Sequence, residues 1–210
     1  MRITDESPVG KTIFCFDLDG TVTRRELLPC IASEIGLVEE LDTLTQVTLQ
    51  GLIPFEKSFR LRCAILRQVP ISRVNAVVNA IELDQNIEAF IRARAENCVI
   101  VTGNLDVWIR PIVERLGCRC FCSEGDAEGD QLMSVRRVLR KSDAIHRLRA
   151  EHPNARIVAI GESVNDLPMF EEADVGVAYG GVHAPVASII GAAHYVTFNG
   201  VALCRLLSTL

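Results

Sequence analysis

Five short runs of apolar residues, separated by longer stretches, constrain the fold of this 210-residue chain more than any other feature. Each run has four or five residues, a length that suits a strand buried on both faces of a parallel sheet. The runs lie at 12–16, 98–102, 156–160, 174–178 and 195–198. Apolar residues at helical spacing fill most of the intervals, at about 105–116, 142–151, 166–172, 184–190 and 201–209. This alternation predicts an α/β fold with a doubly wound parallel sheet.

The interval between the first two predicted strands is much longer than a crossover needs, since a dozen or so residues suffice. Its apolar residues recur at helical spacing, and Gly36, Gly51, Pro54 and Pro70 divide them into four helices. A fifth helix, at 84–97, is assigned to the core. Residues 24–83 are therefore predicted to form a helical cap over the carboxyl edge of the sheet. Residues 1–23 and 84–210 then form the core.

The charge balance limits the partners of the chain. A formal net charge of −5 argues against nucleic acid or an anionic membrane as the principal partner, because both favour a basic face. The first ten residues do not resemble a signal peptide, so we expect a cytoplasmic protein whose eight cysteines stay reduced. Cys118, Cys120 and Cys122 alternate, which on a strand would place all three on one face, and we expect strand or core packing rather than a zinc site.

One uncharged stretch, 175–204, invites comparison with a membrane span. It contains no Asp, Glu, Lys or Arg, but glycines and Pro185 interrupt it repeatedly. A single helix of about 20 apolar residues is not broken in this way. We therefore predict a strand, a loop, a short helix and a second strand, all well buried.

Polar residues follow three of the predicted strands, at 17–21, 102–104 and 161–166. In open parallel sheets the carboxyl ends of the strands border the ligand crevice, so these residues should meet. They include four carboxylates, and such a cluster needs a cation. Oxygen ligands favour Mg²⁺, and phosphate oxygens commonly complete the coordination shell of this ion. The carboxylates belong to Asp17, Asp19, Glu162 and Asp166.

A phosphate group also needs positive charge and hydrogen-bond donors. Lys141 is the last of only three lysines, and no other lysine after position 57 could bind the phosphate. Thr102 and the backbone N–H groups of a glycine-containing loop are suited to phosphoryl oxygens. These residues together predict a phosphate site at the same edge.

Four motifs in this order resemble those of the haloacid dehalogenase superfamily. Residues 17–23 have the sequence DLDGTVT after a predicted strand, and phosphatases of the superfamily begin with DxDGT in that position. Thr102 resembles the second motif, Lys141 the third, and GESVND at 161–166 the fourth. The resemblance spans nearly the whole chain and implies a Rossmann-like core with the cap inserted between the first and second motifs.

A helical cap in that position resembles the phosphoserine phosphatase branch. In that branch a Glu shortly after the first motif and an Arg in an FExSxRxR stretch hold the amino-acid part of the substrate. Glu26 and Arg62, within FEKSFRLR at 55–62, occupy these positions. A guanidinium binds a carboxylate with two hydrogen bonds, and a carboxylate accepts from an ammonium group, so the chemistry agrees.

The resemblance implies a Mg²⁺-dependent phosphomonoester hydrolase in which Asp17 attacks phosphorus and forms an aspartyl phosphate. Asp19 is implied to protonate the leaving alkoxide and later to activate water. The implied metal ligands are Asp17, the Asp19 carbonyl, Glu162 and Asp166. The implied phosphate-binding residues are Thr102, Gly103, Lys141 and Asn165, and the implied substrate-binding residues are Glu26, Arg62 and Asn104.

Two residues depart from the usual pattern of that branch. Glu162 stands where the family usually has Asp, which places the carboxylate one methylene further out. Asn104 stands where a glycine is usual. The expected substrate is O-phospho-L-serine or a similar small phosphorylated metabolite. Two alternatives stay open: phosphotransfer to a small alcohol such as homoserine, and a catalytically weakened protein that binds a phosphorylated ligand. Whether the chain is a monomer or a homodimer also stays open.

Overall fold

One seven-stranded sheet organises the computed structural model, which describes residues 10–210. The strands are β1 (Thr12–Phe16), β2 (Cys98–Leu105), β3 (Arg119–Glu128), β4 (Gln131–Arg137), β5 (Arg156–Gly161), β6 (Val175–Tyr179) and β7 (Tyr195–Thr197). Their order in the sheet is β4-β3-β2-β1-β5-β6-β7, and the neighbours are parallel except for the antiparallel β3–β4 pair. The predicted Rossmann-like α/β fold is confirmed.

Helices cover both faces of the sheet. Alternate residues of β1 point to opposite faces, so Phe14 and Phe16 join one apolar cluster while Ile13 and Cys15 join the other. Burial on both faces explains why the strands have continuous apolar sequences. The helices are α1 (Leu27–Ala32), α2 (Val38–Leu49), α3 (Phe55–Leu66), α4 (Ile71–Asn79), α5 (Gln85–Ala93), α6 (Asp106–Leu116), α7 (Lys141–Glu151), α8 (Leu167–Glu172), α9 (Ala187–Ala192) and α10 (Gly200–Leu207).

The β3–β4 hairpin is the main element that the strand prediction omitted. Its two strands pair from Glu124↔Arg137 to Glu128↔Gln131, and Gly129 makes the turn with a φ of 58°. Along β3 buried and partly exposed residues alternate before the strand becomes fully exposed at its end. One face of the hairpin therefore lies in solvent, and its sequence lacks the continuous apolar run that marks the central strands.

Residues 24–83 contain four α-helices, α1 to α4, as the apolar spacing predicts. An isolated bridge between Thr23 and Leu83 brings the two ends of this segment together. Asn75 Nδ2 of α4 donates to the Val107 carbonyl of α6 at 2.8 Å, and Ile71 N donates to the Asp130 carbonyl of the hairpin at 2.9 Å. Because α6 follows β2, the segment lies near the carboxyl edge of the sheet. The division into a cap and a core stays a prediction, and residues 1–9 of that core lie outside the described residues.

The prediction that 175–204 is buried throughout is wrong at its end. Tyr195, Val196 and Phe198 are exposed, because β7 is an edge strand of the sheet. Helix α9 begins at Ala187 rather than near 184, and the Val186 N–H that precedes it donates to the Glu162 carbonyl. Within residues 10–210, none of the helices has both the length and the apolar character that a membrane crossing needs.

The eight cysteines are all free thiols. Cys118 precedes β3, Cys120 and Cys122 alternate along it, and all three pack against the apolar cluster that includes α6. This arrangement matches the predicted packing role.

Candidate active site

The loop after β1 places two carboxylates at the carboxyl edge of the sheet. Asp17 N donates to the Ile160 carbonyl of β5 at 2.9 Å, which continues the strand pairing. Gly20 has a φ of 70°, a backbone conformation that favours glycine. Thr23 Oγ1 accepts from Gly20 N at 3.2 Å and donates to the Leu18 carbonyl at 3.1 Å. The loop is therefore braced on both sides of Asp19.

Lys141 joins the first and fourth motifs. Its Nζ donates to Asp17 Oδ1 and to Asp166 Oδ1, each at 2.5 Å. Both carboxylates and the ammonium group are almost fully buried. Asp166 Oδ2 accepts from the backbone N–H groups of Glu162 and Ser163 at 2.9 Å each. Both oxygens of Asp166 are thus engaged by the protein, and this carboxylate orients Lys141.

The buried charges shift one another's pKa values. Burial, followed by the Asp166 carboxylate, raises the pKa of Asp17 to about 7. Burial, followed by Asp17, raises the pKa of Glu162 to about 9. Burial by itself lowers the pKa of Lys141, but the carboxylates of Asp166 and Asp17 outweigh it and raise that pKa above the usual value. Negative charge therefore exceeds what Lys141 alone neutralises.

This donor set fits a divalent cation. Glu162 Oε2 is buried and has no hydrogen-bond partner among the described residues. Glu162 also lies against Gly20, where an added Cβ would come within 2.1 Å of Glu162 Oε1. Glycine at position 20 thus leaves room for the longer side chain that replaces the usual Asp. Buried carboxylate oxygens beside one another are hard ligands of the kind that Mg²⁺ prefers.

Asn104 contacts the second carboxylate of the loop. Its Nδ2 donates to Asp19 Oδ2 at 2.7 Å and to Thr102 Oγ1 at 3.1 Å. Asp19 Oδ1 accepts from Leu27 N at 3.0 Å. Burial, followed by the Glu26 carboxylate, raises the pKa of Asp19 to about 7. The predicted role of Asn104 is substrate binding, whereas the structure places its amide against Asp19.

The other predicted phosphate-binding residues border this cluster. The Gly103 carbonyl accepts from Ser123 Oγ at 2.6 Å, and a Cβ on Gly103 would lie 3.1 Å from the Phe55 ring of α3. Asn165 Oδ1 accepts from Ser163 Oγ. Within residues 10–210 the structure shows no hydrogen bond from Asn165 to Asp17 or Lys141. Its proximity to phosphate stays a prediction.

Glu26 and Arg62 face the cluster from the helical segment. Arg62 is buried, its Nη1 donates to Thr45 Oγ1 at 3.3 Å, and its Nε has no partner among the described residues. The Arg62 Cζ atom lies 6.0 Å from the centre of the Phe55 ring. Burial, followed by Asp17, raises the pKa of Glu26 to about 7, while Arg62 lowers it. A buried guanidinium with an open donor suits a carboxylate ligand.

His183 is a neighbour that the sequence analysis did not single out. It lies in the loop after β6, and its Nε2 is 3.5 Å from Glu26 Oε1. Its position in the sequence could have indicated this contact, because the loop follows a predicted parallel strand and so lies at the same edge as 17–21 and 161–166.

Comparison with known proteins places this chain in a family. A model of the haloacid dehalogenase-like hydrolases matches residues 14–171. The phosphoserine phosphatase of Methanocaldococcus jannaschii is 28% identical over 180 residues, which are 80% of this chain and 85% of that protein. The phosphoserine phosphatase of Archaeoglobus fulgidus is 26% identical over 181 residues, which are 80% of this chain and 52% of that protein.

Solved structures share the fold. A HAD family hydrolase from Salmonella enterica serovar Typhi superposes with a TM-score of 0.83 at 23% identity, covering 97% of this chain and 74% of that one. A phospho-aspartyl intermediate analogue of phosphoserine phosphatase gives 0.80 at 23% identity, covering 96% and 99%. The predictions of the family and of a phosphatase-type enzyme are confirmed, and phosphatases of this family use a divalent cation. The chain belongs to the haloacid dehalogenase-like hydrolase family.

Proposed function

We propose that this protein is a Mg²⁺-dependent phosphomonoester hydrolase that works through an aspartyl phosphate on Asp17. The observation that carries the proposal is the buried contact of Asp17 with Lys141, which is itself held by Asp166. A carboxylate beside one oriented ammonium group is ready to receive a phosphoryl group, because that ammonium neutralises charge on the transferred oxygens.

The first chemical step breaks the ester bond of the substrate. An Asp17 carboxylate oxygen attacks phosphorus in line, and the bond between phosphorus and the alcohol oxygen breaks. Asp19 in its protonated form donates its proton to the departing alkoxide, which leaves as the alcohol. A pKa near 7 suits Asp19 to this role, since both protonation states are populated near neutral pH.

The second step regenerates the enzyme. A water molecule attacks the phosphorus of the aspartyl phosphate, and the ionised Asp19 accepts a proton from it. The bond between phosphorus and the Asp17 oxygen breaks, which releases inorganic phosphate and restores the carboxylate. Lys141 and Thr102, with the backbone near Gly103 and the amide of Asn165, are proposed to hold the phosphoryl oxygens through both steps.

The proposed cation ligands are the Asp17 and Glu162 carboxylates and the Asp19 main-chain carbonyl. Asp166, the fourth predicted ligand, is proposed to act by orienting Lys141 or a water molecule, since both its oxygens already accept hydrogen bonds. Bound Mg²⁺ supplies positive charge that draws the phosphate toward Asp17 and neutralises charge that develops in the transition state.

The proposed substrate is O-phospho-L-serine or a similar small phosphorylated metabolite. Arg62, with its unpartnered Nε, is assigned to the substrate carboxylate, and Glu26 to the ammonium group. Curated relatives named phosphoserine phosphatase support this assignment. We further propose that residues 24–83 act as a cap that encloses the substrate, and that the protein works in the cytoplasm without nucleic acid or membrane partners.

The proposal is tested by measuring phosphate release from phosphorylated amino acids, sugars and nucleotides. The protein is first stripped of metal and is then assayed with Mg²⁺ and afterwards with Mn²⁺. We expect release that depends on the metal and is highest for a phosphorylated amino acid. Asp17→Asn should abolish release, while Asp143→Asn, an exposed position on α7, should not change it.

Three results of that screen contradict parts of the proposal. Transfer of the phosphoryl group to added homoserine would show a phosphotransferase. Binding of phosphoserine without turnover under either metal would show a ligand-binding protein. Full turnover by Asp17→Asn would exclude Asp17 as the nucleophile.

A further inference from the structure

Three side chains near the carboxyl edge of the sheet offer ligand atoms to one small volume. One atom each from Glu26, Glu162 and His183 lies within 4.8 Å of the others. His183 Nε2 and Glu26 Oε1 are 3.5 Å apart. In a tetrahedral site with metal–ligand bonds of about 2.0–2.1 Å, neighbouring ligand atoms lie roughly 3.4 Å apart. The His183–Glu26 pair therefore already has the spacing of two ligands of one ion.

Glu162 provides an independent indication of a ligand. Its side chain is only 4% exposed, and its Oε2 has no hydrogen-bond partner among the described residues. A buried carboxylate oxygen without a donor is unfavourable, and a cation satisfies it.

Backbone hydrogen bonds anchor the loop that carries His183 beside Glu162. Gly180 N donates to the Thr197 carbonyl at 2.8 Å, and Val186 N donates to the Glu162 carbonyl at 3.0 Å. Both ends of the loop that carries His183 are thus anchored, one of them on Glu162 itself. His183 is 55% exposed, so an ion from solvent has a route to the three side chains.

We propose that Glu26, Glu162 and His183 form a binding site for a transition-metal dication, with Zn²⁺ as the ion that this mixed nitrogen and oxygen set fits best. An imidazole ligand separates this site from the oxygen ligands proposed for Mg²⁺. The two sites share Glu162, so Zn²⁺ and Mg²⁺ compete for its carboxylate. Zn²⁺ here also engages Glu26, the residue assigned to the substrate ammonium, and so inhibits phosphate release.

Zn²⁺ affinity is measured on metal-stripped protein by competition with a chromophoric chelator, with no substrate present. We expect the wild type to bind one Zn²⁺ per chain. His183→Gln should bind Zn²⁺ at least about tenfold more weakly than the wild type. His146→Gln is the matched control, because His146 is also exposed and lies 3.1 Å from a single carboxylate, Glu172. This control should bind Zn²⁺ as the wild type does.

Co²⁺ absorption gives a second readout that does not depend on affinity alone. The visible spectrum of the Co²⁺-loaded protein should change in His183→Gln, since a nitrogen ligand is lost, and should not change in His146→Gln. Equal Zn²⁺ affinity and equal spectra for wild type and His183→Gln would overturn the proposal, as would the absence of Zn²⁺ binding. Neither result depends on catalysis, so this proposal and the proposed phosphatase activity can fail separately.

Discussion

The Nζ atom of Lys141 lies 2.5 Å from Oδ1 of Asp17, although 124 positions separate the two residues. The contact joins the amino terminus of α7 to the carboxyl end of β1 inside the protein. Asp166 holds the same ammonium group from the other side. Lys141 and Asp166 therefore fix the position of Asp17 before any substrate arrives.

Lys141→Met should destabilise the fold as well as abolish catalysis. Loss of one partner from a buried ion pair leaves the carboxylates uncompensated, which costs about 3 to 5 kcal/mol. Urea unfolding at neutral pH in the presence of EDTA measures this free energy. The double variant Asp17→Asn/Lys141→Met should recover part of the loss, and an unchanged midpoint for Lys141→Met would refute the structural role.

Asn104→Ala should move the alkaline limb of the pH profile of kcat/KM to higher pH. The Asn104 N–H donor stabilises the ionised form of Asp19 and lowers its pKa, so its removal raises that pKa. One hydrogen bond of about 1 kcal/mol corresponds to a shift of about 0.7 pH unit. An unmoved limb with an altered KM would instead favour the predicted contact of Asn104 with the substrate.

Metal-free protein should lose stability as pH rises. The pKa of Glu162 is raised from 4.5 to about 9, so the folded state holds a proton that the unfolded state has released. The unfolding free energy therefore falls between about pH 4.5 and pH 9, and Asp17 and Asp19 act in the same direction. Mg²⁺ should restore stability in the upper part of this range.

Thermal unfolding across that pH range, with Mg²⁺ or with EDTA, measures the effect. Glu162→Gln should flatten the pH dependence in EDTA and reduce the stabilisation by Mg²⁺. If the apparent Tm of the EDTA-treated protein rises toward pH 9, the charge arrangement described for Glu162 is wrong.

Arg62→Ala should weaken the binding of amino-acid substrates selectively. The guanidinium is assigned two hydrogen bonds to the substrate carboxylate, and charged hydrogen bonds contribute about 1.5–3 kcal/mol each. We expect KM for O-phospho-L-serine to rise at least about tenfold. The KM for phosphoethanolamine, which lacks the carboxylate, should change little, and an equal rise for both substrates would contradict the assignment.

The sequence predicted those parts of the fold that rest on local patterns. Residues 12–16 and 156–160 are apolar throughout because their strands are covered on both faces, so they were recognisable. The β3–β4 hairpin was not predicted as strands, since Glu124 and Arg137 pair on an exposed surface. β7 was predicted as buried, and its place at the sheet edge follows from the topology rather than from its apolar sequence.

The candidate site was likewise predictable where local motifs mark it and not where it depends on packing between distant segments. The sequence motifs predicted Asp17 and Lys141 as site residues, and the structure brings them into contact. The orientation of Asn104 toward Asp19 and the approach of His183 to Glu26 depend on packing between distant segments. Neither contact follows from a local sequence pattern, and for His183 only its position after β6 indicated that it lies at this edge of the sheet.

Trapping of the phosphorylated enzyme tests the central claim most directly. Protein mixed with Mg²⁺ and phosphate-labelled substrate is quenched in acid within one turnover, digested and mapped by mass spectrometry. We predict a hydroxylamine-sensitive phosphoryl group on Asp17 in the wild type and none in Asp17→Asn. Steady turnover with no phosphoryl group on Asp17, or with the group on another residue, would contradict the account.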